Sequence, residues 1–141
     1  MTTPVYLTNP TINITQGATT TDFTGSSSSL TATLGYTSLE TTVFGSTGLS
    51  YTSGLQTANV EMTVYMEYGV GEVEEALATY VGSGTSVLVF SPRGLTESAS
   101  NPEWTVTGAM LESYDVIAGT VNELSVITMS WTGGSWVRDI T

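Results

Sequence analysis

The chemistry open to this chain is limited by its ionisable residues, thirteen carboxylates and two bases, Arg93 and Arg138. It has no Cys, no His and no Lys. Carboxylate pairs can hydrolyse glycosides or bind calcium. The densest acidic group is Glu72, Glu74 and Glu75. Its favoured reading is a solvated first helical turn, where carboxylates meet the positive end of the helix dipole. Glu61 and Glu67 are six positions apart on one expected strand face. That separates their Cα atoms by roughly 20 Å, too far for paired catalysis. Asp115 falls in an expected turn, where Asp commonly bonds to the backbone. Hydroxyls abound, with 27 Thr and 17 Ser, but a Ser nucleophile needs a base and no imidazole or amine side chain is encoded. Thiolate and imidazole metal sites are excluded with Cys and His. The run Gly82-Ser83-Gly84-Thr85-Ser86 lacks the Lys of a phosphate loop and follows an expected helix rather than a strand. Trp104, Trp131 and Trp136 could stack on sugars or bases, though such residues more often fill sheet cores or interfaces. No catalytic, cofactor or metal residue is expected, and the protein is not expected to be an enzyme.

Composition narrows the remaining classes. Charged residues make up 11% of the 141 positions, against roughly 25% in typical soluble domains. Hydroxyls therefore replace charges as the water-facing groups. Thr suits pleated surfaces because of its branched Cβ, so the chain reads as rich in β-structure. The net charge is −11, which disfavours binding to DNA phosphate or to an anionic membrane. No apolar run approaches the ~18 residues of a membrane span, and Met1-Thr2-Thr3-Pro4 carries no sign of a signal peptide. The chain is expected to be made in a cytoplasm.

The elements that must carry these residues follow from periodicity. Residues 1–29 are expected as an extended N-terminal arm and loop, with a short extended stretch at 11–15 and a Ser/Thr/Gly-rich segment at 17–29 that reads equally as a loop or a weak strand pair. Residues 30–141 are expected as one β domain. Residues 30–44 alternate moderately, as one or two strands. A long loop is expected over 45–57, rich in Gly, Ser and Thr, of the kind that is usually functional or disordered. Across 59–68, Val60, Met62, Val64, Met66 and Tyr68 alternate with Glu61, Thr63, Tyr65 and Glu67, giving one apolar and one acidic face. Val73, Leu77, Tyr80 and Val81 fall at helical spacing, predicting a short amphipathic helix over 71–81 that stops at Gly82. Further strands are expected at 85–90, 104–112 and 121–131, with a last edge strand at 136–140. The fold class is mostly β, or α+β.

One set of features in order resembles a known family. Thr42-Val43-Phe44-Gly45 precedes the loop that ends in Gly54-Leu55, and the alternating strand and the helix follow. Then come Ser98-Ala99-Ser100-Asn101-Pro102-Glu103-Trp104, the strand from Trp104 with Tyr114 behind it, and Ala118-Gly119-Thr120-Val121-Asn122-Glu123-Leu124-Ser125-Val126. Trp131-Thr132-Gly133-Gly134 and Arg138 complete the pattern. Across about residues 40–138 the chain resembles the tail tube proteins of long-tailed siphophages, of the actinobacterial phage type.

The resemblance implies two packed antiparallel sheets, a β-sandwich or barrel, with one flanking helix. It implies hexameric rings stacked into a hollow tube of the virion, through which DNA is ejected without specific binding. The loop, with Gly48, Leu49, Tyr51 and Gly54, would contact neighbouring subunits, and Glu61 and Glu67 would face the lumen. Partners would be the chain itself and the tail tip, tape measure and tail terminator proteins. Two other expectations compete: another virion component, such as a capsid decoration or head–tail joining protein, or a carbohydrate-binding β-sandwich.

Overall fold

Alternation of apolar and polar residues dictates the long strands, and the one helical stripe interrupts them. The computed structural model describes residues 10–94 and 96–140. The elements run β1 (Thr11–Gln16), β2 (Thr19–Asp22), β3 (Ser27–Glu40), β4 (Tyr51–Tyr65), α1 (Val73–Tyr80), β5 (Ser86–Ser91), β6 (Glu103–Leu111), β7 (Val126–Thr132) and β8 (Ser135–Asp139). In β4, Val60, Met62 and Val64 are buried while Asn59, Glu61 and Tyr65 are exposed. In α1, Val73, Leu77 and Tyr80 form the buried stripe, and Glu74 and Glu75 sit in the first turn.

The strands form one antiparallel path in the order β2-β1-β5-β6-β7-β4-β3, with β8 also on β6. The two layers expected from the sequence are two halves of this single sheet, folded over one core. The turning point lies at β6. Its residues 103–107 pair with β8, and its end, Met110 and Leu111, pairs with Thr132 and Trp131 of β7. β7 and β8 thus run along the same edge of β6 as one strand broken at Gly133-Gly134, and the chain passes from one half of the sheet to the other there. Opposite the break, the register with β5 shifts at Gly108, which has φ +87°. This bulge turns β6 over, so that Val106, Ala109 and Leu111 are all buried despite their uneven spacing. The core joins Ile12, Ile14, Leu88, Phe90 and Val106 of one half to Val60, Met62, Val64, Ile127 and Met129 of the other, with α1 packed against both.

Three expectations are corrected. The first is the arm. From Thr11 it is part of the sheet, because β1 lies between β2 and β5 and buries Ile12 and Ile14, and Phe23 follows them into the core. The part of the expected arm in residues 1–9 lies outside the described residues. The second is the loop over 45–57. Residues 51–57 are the start of β4, paired with β3 from Glu40↔Tyr51 onward, so the true connection is 41–50. Of the contact-loop candidates, Gly48 and Leu49 lie in that connection, while Tyr51 and Gly54 are strand residues. The third is the far end of the alternating strand. β4 stops at Tyr65, so Glu67 and the exposed Tyr68 lie beyond it.

Candidate assembly surfaces

Five residues of β4 and β7 set the character of the outer sheet face around Glu61. Glu61 stands between Thr31 of β3 and Ser130 of β7 in register. Around it hydroxyls and amides bond to each other: Thr63 Oγ1 lies 3.1 Å from Thr128 Oγ1, and Ser130 donates to Asn59 Oδ1 at 3.2 Å. Cross-strand neighbours share a face, so around Glu61 this side of the β3–β4–β7 half is a field of hydroxyls and amides, with the exposed pair Tyr65 and Val126 toward its end. A shallow depression beside it is lined by Glu61, Glu112, Ser113, Thr128, Met129 and Ser130.

Glu67 lies beyond the end of β4. It accepts a hydrogen bond from Ser26 Oγ at 3.1 Å, and its backbone carbonyl accepts from the amide of Glu74. The neighbouring Glu72 is pushed above the ordinary carboxylate range, first by its hydrogen bond with Glu67 and then by the repulsion of that charge. Glu75 accepts from the amide of Gly71 at 3.3 Å, and Glu74 accepts from the Tyr114 hydroxyl at 3.1 Å. These carboxylates tie down the entry to α1. Among the described residues, no three acidic groups converge as a cation site.

The second surface is the distal half of the β3–β4 hairpin. Tyr36, Leu39, Val43, Phe44, Leu49, Tyr51 and Leu55 are all exposed there. The connection is held by its own backbone: Thr41 donates to the Ser50 carbonyl at 2.8 Å, and the Ser50 amide donates to Thr42 Oγ1 at 2.8 Å. A Cβ at Gly54 would run into the side chain of Thr37 across the pair. The distal hairpin is therefore an arm whose tip residues Val43, Phe44 and Leu49 are exposed, while Tyr36 nearer its base packs on Trp136; exposed apolar sets of this kind mark interaction surfaces. A third exposed set, Val70, Val116, Ile117, Val121 and Leu124, gathers the segments after β4 and between β6 and β7. The sequence reading missed it by extending a strand back to 121. The lack of any period-two alternation over 112–125 was the available signal.

The tryptophans pack within the chain, Trp131 buried and Trp104 and Trp136 half-buried. Trp104 stacks on Phe90, and Trp136 packs edge-on against Tyr36 and donates its indole N–H to the Gly35 carbonyl. Trp131 is fully buried.

No protein-family model matches the sequence, and no curated protein sequence matches it. Solved assemblies do match the structure. The SPP1 tail tube superposes with a TM-score of 0.73 at 12% identity, over 98% of this chain and 80% of that one. A chain of the tail of an empty gene transfer agent particle, solved with C6 symmetry, gives 0.69 at 10% identity, over 94% and 96%. A chain of the anti-feeding prophage tube-terminating cap gives 0.64 at 14% identity, over all of this chain and 94% of that one. The chain has the tail tube fold. The likeness covers nearly the full length of this chain in each case.

Proposed function

We propose that this protein is the repeating subunit of a phage-type tail tube, assembling as hexameric rings that stack into a hollow conduit for DNA. The observation that supports this reading is the exposed apolar distal half of the β3–β4 hairpin in a chain of tail tube fold. Exposed apolar surface of that kind marks a site of contact with another protein surface. The ends of the sheet support the same reading. β3 is a terminal strand of fourteen residues with no Pro and no Lys, an edge left open to pairing with another chain. Side-to-side contacts between unlike surfaces close a ring, and stacking extends it. Gly48, Leu49, Tyr51 and Gly54 belong to the arm that touches neighbouring subunits. Glu61, with the hydroxyl face around it, lines the lumen, where DNA passes without sticking. The role is structural rather than catalytic. Partners are the chain itself and the tail tip, tape measure and terminator proteins of the virion, with synthesis in the host cytoplasm. Negative-stain microscopy and sedimentation of the purified protein test the reading. Rings or tubes are expected, and a monomer at all concentrations, even with a nucleating tail tip, would overturn it.

A further inference from the structure

β4 loses a neighbour part-way along its length. Residues 59–65 pair with β7, and the Gly133 amide donates to the Ala58 carbonyl at 3.0 Å. There Gly133 and Gly134 turn the chain onto β6 as β8. Residues 51–57 of β4 stay paired with β3, but among the described residues no strand pairs with their other side. β4 and β8 therefore part in a wedge.

One side chain spans that wedge. Gln56 donates from Nε2 to the Trp136 carbonyl at 3.0 Å and accepts at Oε1 from the Trp136 amide at 3.1 Å. Those are the two bonds that a paired strand residue exchanges, supplied here by a carboxamide. Nε2 also donates to the Tyr36 hydroxyl at 3.4 Å. Trp136 reaches back across the same gap. Its indole N–H donates to the Gly35 carbonyl at 3.2 Å, and its ring meets Tyr36 edge-on with centroids 5.6 Å apart. Gly35 and Tyr36 are the β3 partners of Thr57 and Gln56. Both strands of the hairpin are thus tied, at one level, to a single residue of β8.

Just beyond that level the hairpin bends. Its register runs Tyr36↔Gln56 and then Ser38↔Ser53, so β4 carries one residue more than β3 between them. A bulge of this kind kinks the pair and adds twist. Past it, the side-chain bonds of the arm stay within the arm, from Thr37 to the Leu55 carbonyl and from the Ser50 amide to Thr42. A two-stranded ribbon alone is marginally ordered, so its direction depends on how its base is held. We infer that Gln56 is a positioning residue: its carboxamide locks the base of the hairpin to β8 and fixes the direction in which the arm leaves the sandwich. The lock matters more to assembly than to folding. An arm already held in one direction loses little freedom on joining, whereas an arm that samples many directions leaves few chains ready to join. That consequence rests on the tube reading. The direction of the arm does not.

Two substitutions keep the length of the side chain and remove its match to the strand edge. Gln56→Met makes neither bond. Gln56→Glu keeps an acceptor for the Trp136 amide but sets a carboxylate oxygen against the Trp136 carbonyl. The chain has no Cys, so nitroxide labels on Thr52→Cys in the arm and Ala78→Cys on α1, both exposed positions, read the arm directly in unassembled protein. A single narrow distance distribution is expected in the labelled parent. In both variants it should broaden or move, with the cooperative melt retained. The concentration at which rings or tubes appear should rise about tenfold or more, because two hydrogen bonds no longer favour the competent direction. A broad distribution in the parent, or an unchanged narrow one in either variant, overturns the lock whatever the protein assembles into. Loss of the cooperative melt overturns it as well, because Gln56 would then serve the stability of the sandwich. A displaced arm that assembles at the parent's concentration keeps the lock and overturns its consequence for assembly. The expected distributions in a parent that never assembles keep the lock and overturn the tube reading.

Discussion

At Gly134 the backbone of the β7–β8 break passes over the β6 bulge at such close range that a single added carbon decides whether the sheet can turn. The residue has φ +92°, and a Cβ there would lie 2.5 Å from the Thr107 carbonyl oxygen and 3.1 Å from the Ala109 amide nitrogen. Neither neighbour is a side-chain tip that can swing away. Gly134→Ala is expected to cost about 3 kcal/mol or more in chemical denaturation. A second residue-scale expectation concerns Glu72, whose affinity for a proton is raised in the folded chain by Glu67. Both folded and unfolded chains hold that proton in strong acid, and the stabilisation is then complete. It is lost as pH rises from the ordinary Glu value near about 4.3 through the raised folded value, because the folded chain must release a proton it holds more tightly. Glu72→Gln should remove this decline. Melting temperatures of variant and wild type measured across that window should diverge upward with pH, with the variant higher at neutral pH. Parallel curves would show that the two carboxylates do not interact in solution.

The elements differ in how plainly the sequence announces them, and the difference has physical causes. The helix is legible because Val73, Leu77 and Tyr80 repeat at its own period and are anchored from within. Tyr80 also donates its hydroxyl to the Ile14 carbonyl, a partner 66 positions away that no local pattern reveals. The core of β4 is legible because one face is wholly buried. The first seven residues of β4 are not, since neither face is buried and the Ser, Gly and Thr there read as a loop. Their order comes from pairing with β3. β1 is short and its alternation involves only Ile12 and Ile14, so its place depends on the β5 strand beside it. The open depression lined by Leu30, Phe90 and Trp104 joins segments near 30, 90 and 104 and has no linear signature. The corrected hairpin sharpens one test. Replacing residues 42–49 with an Asn-Gly turn joins Thr41 to Ser50 with a connection suited to a two-residue hairpin. The variant should melt within about 0.5 kcal/mol of wild type, because those side chains contact no core, and should form no tubes by negative stain. A cut extending to residue 53 would remove three residues of β4 as well and confuse folding with assembly.

At the scale of the whole molecule, charge and shape address the same requirement from two sides. A wall that DNA must pass should not bind phosphate, and the outer face of the β3–β4–β7 half around Glu61 meets that condition. Its hydroxyls and amides satisfy each other, at Thr63 with Thr128 and at Asn59 with Ser130, and Glu61 is its acidic point. In the proposed hexameric ring, six copies would repeat that point six times around one circumference. Repulsion from an exposed carboxylate acts over about a Debye length, roughly 8 Å at physiological salt, a useful range in a narrow channel and a negligible one on an outer wall. Glu61→Lys distinguishes the two placements. The residue makes no contact that folding depends on, so tubes should still form. If Glu61 lines the lumen, those tubes should retain DNA, with affinity falling as salt rises because each new phosphate contact releases condensed counterions. Particles carrying the variant should eject DNA more slowly than wild type. Glu67, bonded to Ser26 and Glu72 near the helix entry, is the second lumen candidate, and Glu67→Lys in the same particles should slow ejection further. Normal ejection by Glu61→Lys particles, with the lysine reactive to a reagent too large to enter the tube, would move this face to the outside and leave the acidity of the chain without a role in DNA passage.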